Sequence, residues 1–281
     1  MSNNTGIDTL IIQPQIIDID FINKIDQIIE RTIHNGSLLV SGSGGSGKTF
    51  ASMWIIRRVM QSANHQSGEY KITIVEPCLN YRYKFDSIPF IDYASTKLVP
   101  DKQDLIIDIY SLKPKAKREC LTSILSNDFV HKQELKIANN GVNTFKNFYM
   151  LDELHNVIGR YALVGNAGAE LLDTVTECRN FGMYIIGVTR RLSDLSTSFV
   201  ESCRTNLFGK TSGQNDLDKI EKMYGNKVSN AVANLKPRSF VYFDQENGEI
   251  SEIGMPEFIA QGRPFEIKED CSHGYVKYLQ G

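Results

Sequence analysis

Residues 37–49 read Ser37-Leu38-Leu39-Val40-Ser41-Gly42-Ser43-Gly44-Gly45-Ser46-Gly47-Lys48-Thr49, and this stretch decides the fold. Residues 37–40 have the composition of a short buried strand, stopped upstream by Asn35-Gly36. Residues 49–61 follow with Ala51, Ile55 and Val59 at helical spacing. Between them, residues 42–49 fit the pattern G-x-x-x-x-G-K-[ST]. Each position has a physical reason. Gly42, Gly44, Gly45 and Gly47 let the chain wrap closely, so that backbone N–H groups, including those of Ser43 and Ser46, point at phosphate. The helix that follows presents its positive end to the same anion. Lys48 reaches the β- and γ-phosphates of a nucleotide, and the Thr49 hydroxyl ligates Mg²⁺. Strand before, helix after is the context the motif demands.

A phosphate loop of this kind needs a carboxylate for the metal at the end of a neighbouring strand. Residues 148–151, Phe-Tyr-Met-Leu, form an apolar run that ends in Asp152-Glu153. Asp152 is expected to hold Mg²⁺, and Glu153 to act as general base on the attacking water. The second acid favours hydrolysis over simple phosphoryl transfer, because a kinase site must exclude water. His155, two residues on, reads as a surface residue of the next helix.

Working outward, further strands are expected at 70–75, 104–110, 183–188 and 207–210, and helices at 20–34, 113–140, 170–180 and 216–235. Residues 10–19 read as an extended edge segment broken by Pro14, and 78–101 as irregular. Residues 238–243 and 249–253 flank Asn247-Gly248, a hairpin signal. Alternating strands and helices predict an α/β fold, with a mostly parallel sheet, helices on both faces and a C-terminal β-hairpin. The expected organisation is a single domain over 1–281: an extension at 1–35, a core at 36–256 and a tail at 257–281.

The chain has 281 residues, 41% hydrophobic and 23% charged, which excludes collagen-like and charge-dominated disordered classes. Its net charge of −2 is unevenly spread. Residues 1–30 carry −4, residues 241–281 carry −5, and the middle carries +7. The five cysteines are scattered and include no C-x-x-C pair, which fits neither a disulfide framework nor a zinc site. A polar start at residues 1–8 gives no expectation of a signal peptide, and no run approaches the ~18 apolar residues of a membrane span. An intracellular setting is the expectation. Locally basic stretches lie at 111–140 and 201–240, and read residue by residue as solvated helix faces.

Residues 151–156, Leu-Asp-Glu-Leu-His-Asn, and residues 178–195, Cys-Arg-Asn-Phe-Gly-Met-Tyr-Ile-Ile-Gly-Val-Thr-Arg-Arg-Leu-Ser-Asp-Leu, together with the phosphate loop, resemble the HerA/FtsK-like P-loop ATPases. Residues 236–243 look like that family's closing hairpin. The resemblance runs in order over residues 36–256, with 78–145 matching only in layout. It implies a RecA-like fold, a homo-oligomeric ring (hexameric, or pentameric) and ATP-driven movement of double-stranded DNA. It also implies a role for Arg179 as an arginine finger acting in trans, with Arg191 and Arg204 as competing candidates. The family glutamine that senses the γ-phosphate is Arg190 here, and the usual proline is Leu192. Arg190 favours a developing anion but cannot accept a hydrogen bond from water.

The expected function is that of an ATP-hydrolysing ring motor for double-stranded DNA, with viral or plasmid genome packaging suggested by a chain without a large accessory domain. ATP and Mg²⁺ are the implied cofactors. Capsid or portal-like proteins are the implied docking partners, and the host cytoplasm or the virion the implied location. The loop at 159–169, with Arg160 and Tyr161 at its start, has the shape of a pore loop. Two other classes remain: an ATP-dependent switch or assembly factor, motivated by Arg190, and a small-molecule P-loop kinase.

Overall fold

Strand side chains alternate between two faces, and here the alternation feeds two separate cores. The computed structural model describes residues 19–77, 81, 88–92, 103–159, 173–255 and 275–278. Its strands are β1 (Ser37–Ser41), β2 (Tyr70–Glu76), β3 (Phe90–Asp92), β4 (Leu105–Asp108), β5 (Lys146–Leu151), β6 (Met183–Thr189), β7 (Thr205–Gly209), β8 (Ser239–Asp244), β9 (Glu249–Gly254) and β10 (Tyr275–Tyr278). They form one sheet in the order β10-β9-β8-β7-β1-β6-β5-β2-β4-β3. Pairing is parallel from β7 through to β3 and antiparallel from β7 to β10.

One face is covered by α1 (Ile19–Asn35) and α2 (Lys48–Gln61). Phe21, Ile25 and Ile28 of α1 and Trp54 and Ile55 of α2 join Leu38, Val40, Phe148, Met150, Ile186 and Val188 in one apolar cluster. A single turn, α3 (Ala63–Gln66), follows α2. The opposite face carries α4 (Pro114–Ala138), α5 (Thr197–Ser202), α6 (Gln214–Tyr224) and α7 (Asn226–Ala233). There Leu121, Leu125, Phe199, Ile220 and Val232 pack with Leu39, Tyr149, Leu151 and Ile185. Central strands buried on both sides explain their continuous apolar runs. Each fully buried Leu or Ile contributes about 1.5–3 kcal/mol.

The expected extension at 1–35 is tied to the hairpin through α1. Lys24, 2% exposed, bonds Glu249, and Arg31 bonds the fully buried Asp244. Burial lowers the pKa of Lys24, against the pull of Glu249. Arg58 of α2 holds Asp26 of α1 by two bonds of 2.6 and 2.7 Å.

Four expectations need correction. The helix expected over 216–235 is two helices, because Gly225 adopts φ 88°, ψ 162°, a conformation open essentially to glycine alone. The helix expected over 170–180 is present at 173–177 but closes in a 3-10 turn, Cys178–Phe181. The irregular stretch 78–101 contains β3, and the tail at 257–281 contains β10, paired with β9. Residues 10–18, and 160–169 of the expected pore loop, lie outside the described residues. Among the described residues no helix is long and apolar enough to cross a membrane.

Candidate nucleotide site

Parallel strands end on one edge of the sheet, and open α/β folds bind ligands there. The phosphate loop leaves the end of β1, Asp152 and Glu153 leave β5, and Arg190 leaves β6. Register sets Ser41 beside Thr189 and Leu151 beside both Gly187 and Val75. The topology brings these groups to one edge, although β5 is not the neighbour of β1 that the sequence suggests, since β6 lies between them.

The loop has a packed base and an open rim. Gly42 has φ +151°, and a Cβ there would stand 2.7 Å from Ser46 Oγ and 3.0 Å from the Gly209 carbonyl. A Cβ on Gly44 or Gly45 would meet nothing within 4 Å. Gly47, at φ 97°, caps α2. The Ser46 side chain turns inward, so only its backbone faces the loop; its N–H donates to Ser43 O at 3.2 Å. Lys48 Nζ donates to the same carbonyl at 2.9 Å. The segment after β7 supports the loop from outside: Ser43 N–H donates to Lys210 O at 2.9 Å, and Ser212 N–H to Ser43 Oγ at 3.1 Å. Burial lowers the pKa of Lys48, while the charges of Glu153 and then Asp152 oppose that shift.

Asp152 is buried, and its Oδ1 accepts the Glu153 N–H at 2.8 Å. That bond holds Glu153 in the left-handed region, φ 48°, ψ 42°. A non-glycine residue there carries about 1–3 kcal/mol of strain, a feature that clusters at functional sites. Glu153 Oε2 lies 3.3 Å from Arg190 Nε and 3.2 Å from His155 Nε2. His155 is not a surface residue of a helix. It sits in a 3-10 turn, Leu154–Asn156, its side chain is 7% exposed, and its Nδ1 lies 3.1 Å from Thr189 Oγ1. Burial first, then the Arg190 charge, lowers its pKa below the ordinary value near 6.5.

Sequence reasoning also missed two groups beside Asp152. Glu76 ends β2, is fully buried, and accepts the Tyr81 N–H. The fully buried Tyr81 hydroxyl lies 3.4 Å from Ser52 Oγ, and burial followed by the Asp152 charge pushes its pKa well up. Thr49 and the Asp152 charge both act on that hydroxyl, so both groups lie in its surroundings. A hydroxyl and a carboxylate at this one edge, beside a glycine-rich loop, fit a magnesium nucleotide, since Mg²⁺ is held by few protein oxygens plus phosphate. Ser41 Oγ, buried at the end of β1 without a hydrogen bond, is a polar atom at the same edge.

The remaining arginines separate. Arg191 lies at the site edge, 63% exposed, with Nη1 3.4 Å from Asp194 Oδ2. Arg179 precedes β6 and therefore lies at the opposite end of the sheet from its own phosphate loop. It donates from Nη1 to the His34 carbonyl at 3.2 Å, at the C-terminal end of α1. Arg204, exposed before β7, is at that same far end.

No family model matches the chain, and no curated protein matches it. Solved structures do. The genome packaging NTPase B204 from Sulfolobus turreted icosahedral virus 2, in complex with ATP-gammaS, superposes with a TM-score of 0.60 at 16% identity, over 80% of this chain and 98% of that one. VirB4 of Thermoanaerobacter pseudethanolicus gives 0.54 at 9% identity, over 74% and 86%. EssC (ATPases 2 and 3) from Geobacillus thermodenitrificans gives 0.52 at 11%, over 75% of this chain and 38% of that one. The chain has the RecA-like fold of these P-loop ATPases, in agreement with the HerA/FtsK-like resemblance that its motifs carry.

Proposed function

We propose that this protein hydrolyses ATP and uses the energy to move double-stranded DNA through a homo-oligomeric ring, in viral or plasmid genome packaging. The observation that carries the reading is the convergence of Lys48, Thr49, Asp152 and Glu153 on one edge of a sheet whose fold is shared with a viral packaging NTPase. Lys48 and the loop N–H groups bind the triphosphate, except those of Ser43 and Ser46, which donate to Lys210 O and Ser43 O instead of pointing at phosphate as the sequence suggests. Thr49 and Asp152 would hold Mg²⁺. When bound, the magnesium nucleotide supplies the reactive phosphoryl group and a counter-charge for it. Glu153 accepts the proton of the attacking water. Arg179, at the far end of its own sheet, is available to a neighbouring subunit as a trans-acting finger, in a hexamer or a pentamer. Capsid or portal-like proteins are the proposed docking partners.

The pairing of Arg190 with Glu153 at 3.3 Å favours one second reading, an ATP-dependent switch with slow turnover. ATPase rate with and without double-stranded DNA, measured alongside mass in solution with ATP, separates the two. The motor reading expects DNA-stimulated turnover and a ring mass. An unchanged rate on DNA overturns it in favour of the switch, and a phosphorylated small-molecule product would establish a kinase.

A further inference from the structure

Glu153 is held from two sides by groups of opposite character. His155 is nearly buried and pinned at its far nitrogen by Thr189, whereas Arg190 has 54% of its side chain exposed. Both approach the same oxygen, Oε2, at 3.2 and 3.3 Å. That oxygen is buried and receives no aligned hydrogen bond. The Arg190 contact is therefore a charge pairing without a directional bond, the kind most easily exchanged, whereas the His155 ring is fixed through Thr189.

The hydroxyl of Thr189 accepts the Arg191 N–H at 3.2 Å, donates to the Arg191 carbonyl at 3.3 Å, and lies 3.1 Å from His155 Nδ1. The His155 ring is thus anchored at Nδ1, with Nε2 facing Glu153 Oε2 at 3.2 Å. The backbone of Glu153 is fixed by Asp152, so its two side-chain partners decide where the carboxylate points. The Arg190 charge is felt at Lys48, which puts it within electrostatic reach of the phosphate loop.

We propose that Arg190 is a releasable latch on Glu153 and His155 its fixed backstop: Arg190 exchanges Glu153 for the terminal phosphate of a nucleoside triphosphate, and Glu153 stays oriented by His155 as it becomes available to water. A diphosphate offers Arg190 no such exchange, so the base is released only when there is a γ-phosphate to cleave. The arginine in place of the family glutamine then serves as a sensor through the base it holds. Arg190 and His155 are positioning residues here, and the inference rests on the reading of Lys48 and Glu153 as an ATP site.

The test is equilibrium binding of ATPγS and of ADP, each with Mg²⁺, to the wild type, Glu153→Gln, Arg190→Gln and the double variant. A partly exposed ion pair is worth up to ~1 kcal/mol, or roughly fivefold in a binding constant. Glu153→Gln, which no longer competes for Arg190, should raise the preference for ATPγS over ADP by about fivefold. The gain should vanish in the Arg190→Gln background and return in part with Arg190→Lys. A gain of the same size without Arg190 means that loss of any negative charge suffices, and overturns the latch; no gain also overturns it. If the wild type binds ATPγS and Lys48→Ala does not, a failed gain sinks the latch alone. If the wild type binds no ATPγS, both readings fall.

Discussion

Gly187→Ala tests how the base is seated. Gly187 lies in the middle of β6, and a Cβ there would stand 2.6 Å from Leu154 Cδ2 and 3.6 Å from Phe199 Cζ. Comfortable carbon contacts are about 3.5–4.0 Å, so Leu154, which is fully buried, must move by about 1 Å. Overpacking of this kind costs about 1–3 kcal/mol. For a chain of this size that is a fall in Tm of about 2–5 °C. Leu154 is the residue after Glu153, so the same shift moves the base. A displacement of ~1 Å near reacting groups can cost about a hundredfold in rate. The phosphate loop rests on β1 and the segment after β7, so ATPγS affinity should stay within about twofold of wild type. Leu154→Ala alone should cost about 2–5 kcal/mol through its cavity. Combined with Gly187→Ala, whose methyl fills that space, it should be at least ~1 kcal/mol more stable than the two single effects added together. Thermal unfolding, turnover and ATPγS binding report all three quantities. Unchanged Tm and turnover in Gly187→Ala, or strict additivity in the double variant, would refute the reasoning.

Two further outcomes follow from the site. Arg179→Ala should lose turnover by itself and recover part of it when mixed with Lys48→Ala, because a mixed ring pairs an intact finger with an intact phosphate loop; no recovery at any mixing ratio would count against action in trans. His155 has its folded pKa depressed below its unfolded value near 6.5. The stability this neutral ring contributes is complete above that value and lost as pH falls from there through the folded pKa. His155→Gln should therefore flatten the decline in Tm on acidification below pH ~6.5, compared with wild type; parallel Tm–pH curves would show that His155 does not carry the effect.

The phosphate loop, the acidic pair and the central strands were legible because each leaves a local trace. A cradle for phosphate needs glycines at fixed spacing, and a strand buried on both faces needs an unbroken apolar run. The parallel sheet and the closing hairpin follow from the same traces. What stayed hidden depends on distant partners. Four residues at β10 pair only because β9 offers an edge. His155, Tyr81 and Glu76 look like ordinary polar residues in sequence, and only strand register brings them against Asp152 and Glu153. The split at Gly225 was readable, since a glycine inside a helical period costs about 1 kcal/mol and invites a break. Strand direction alone also puts Arg179 at the far end of the sheet, because the residues just before a parallel strand and those just after it lie on opposite edges.

The central claim is hydrolysis at Lys48 with Glu153 as base. It is tested most directly by ATP turnover in the wild type, Lys48→Ala and Glu153→Gln, measured with ATPγS binding on the same preparations. The account predicts steady turnover in the wild type, loss of binding and turnover in Lys48→Ala, and retained binding with turnover down by about a hundredfold or more in Glu153→Gln. Wild-type turnover in either variant would contradict it.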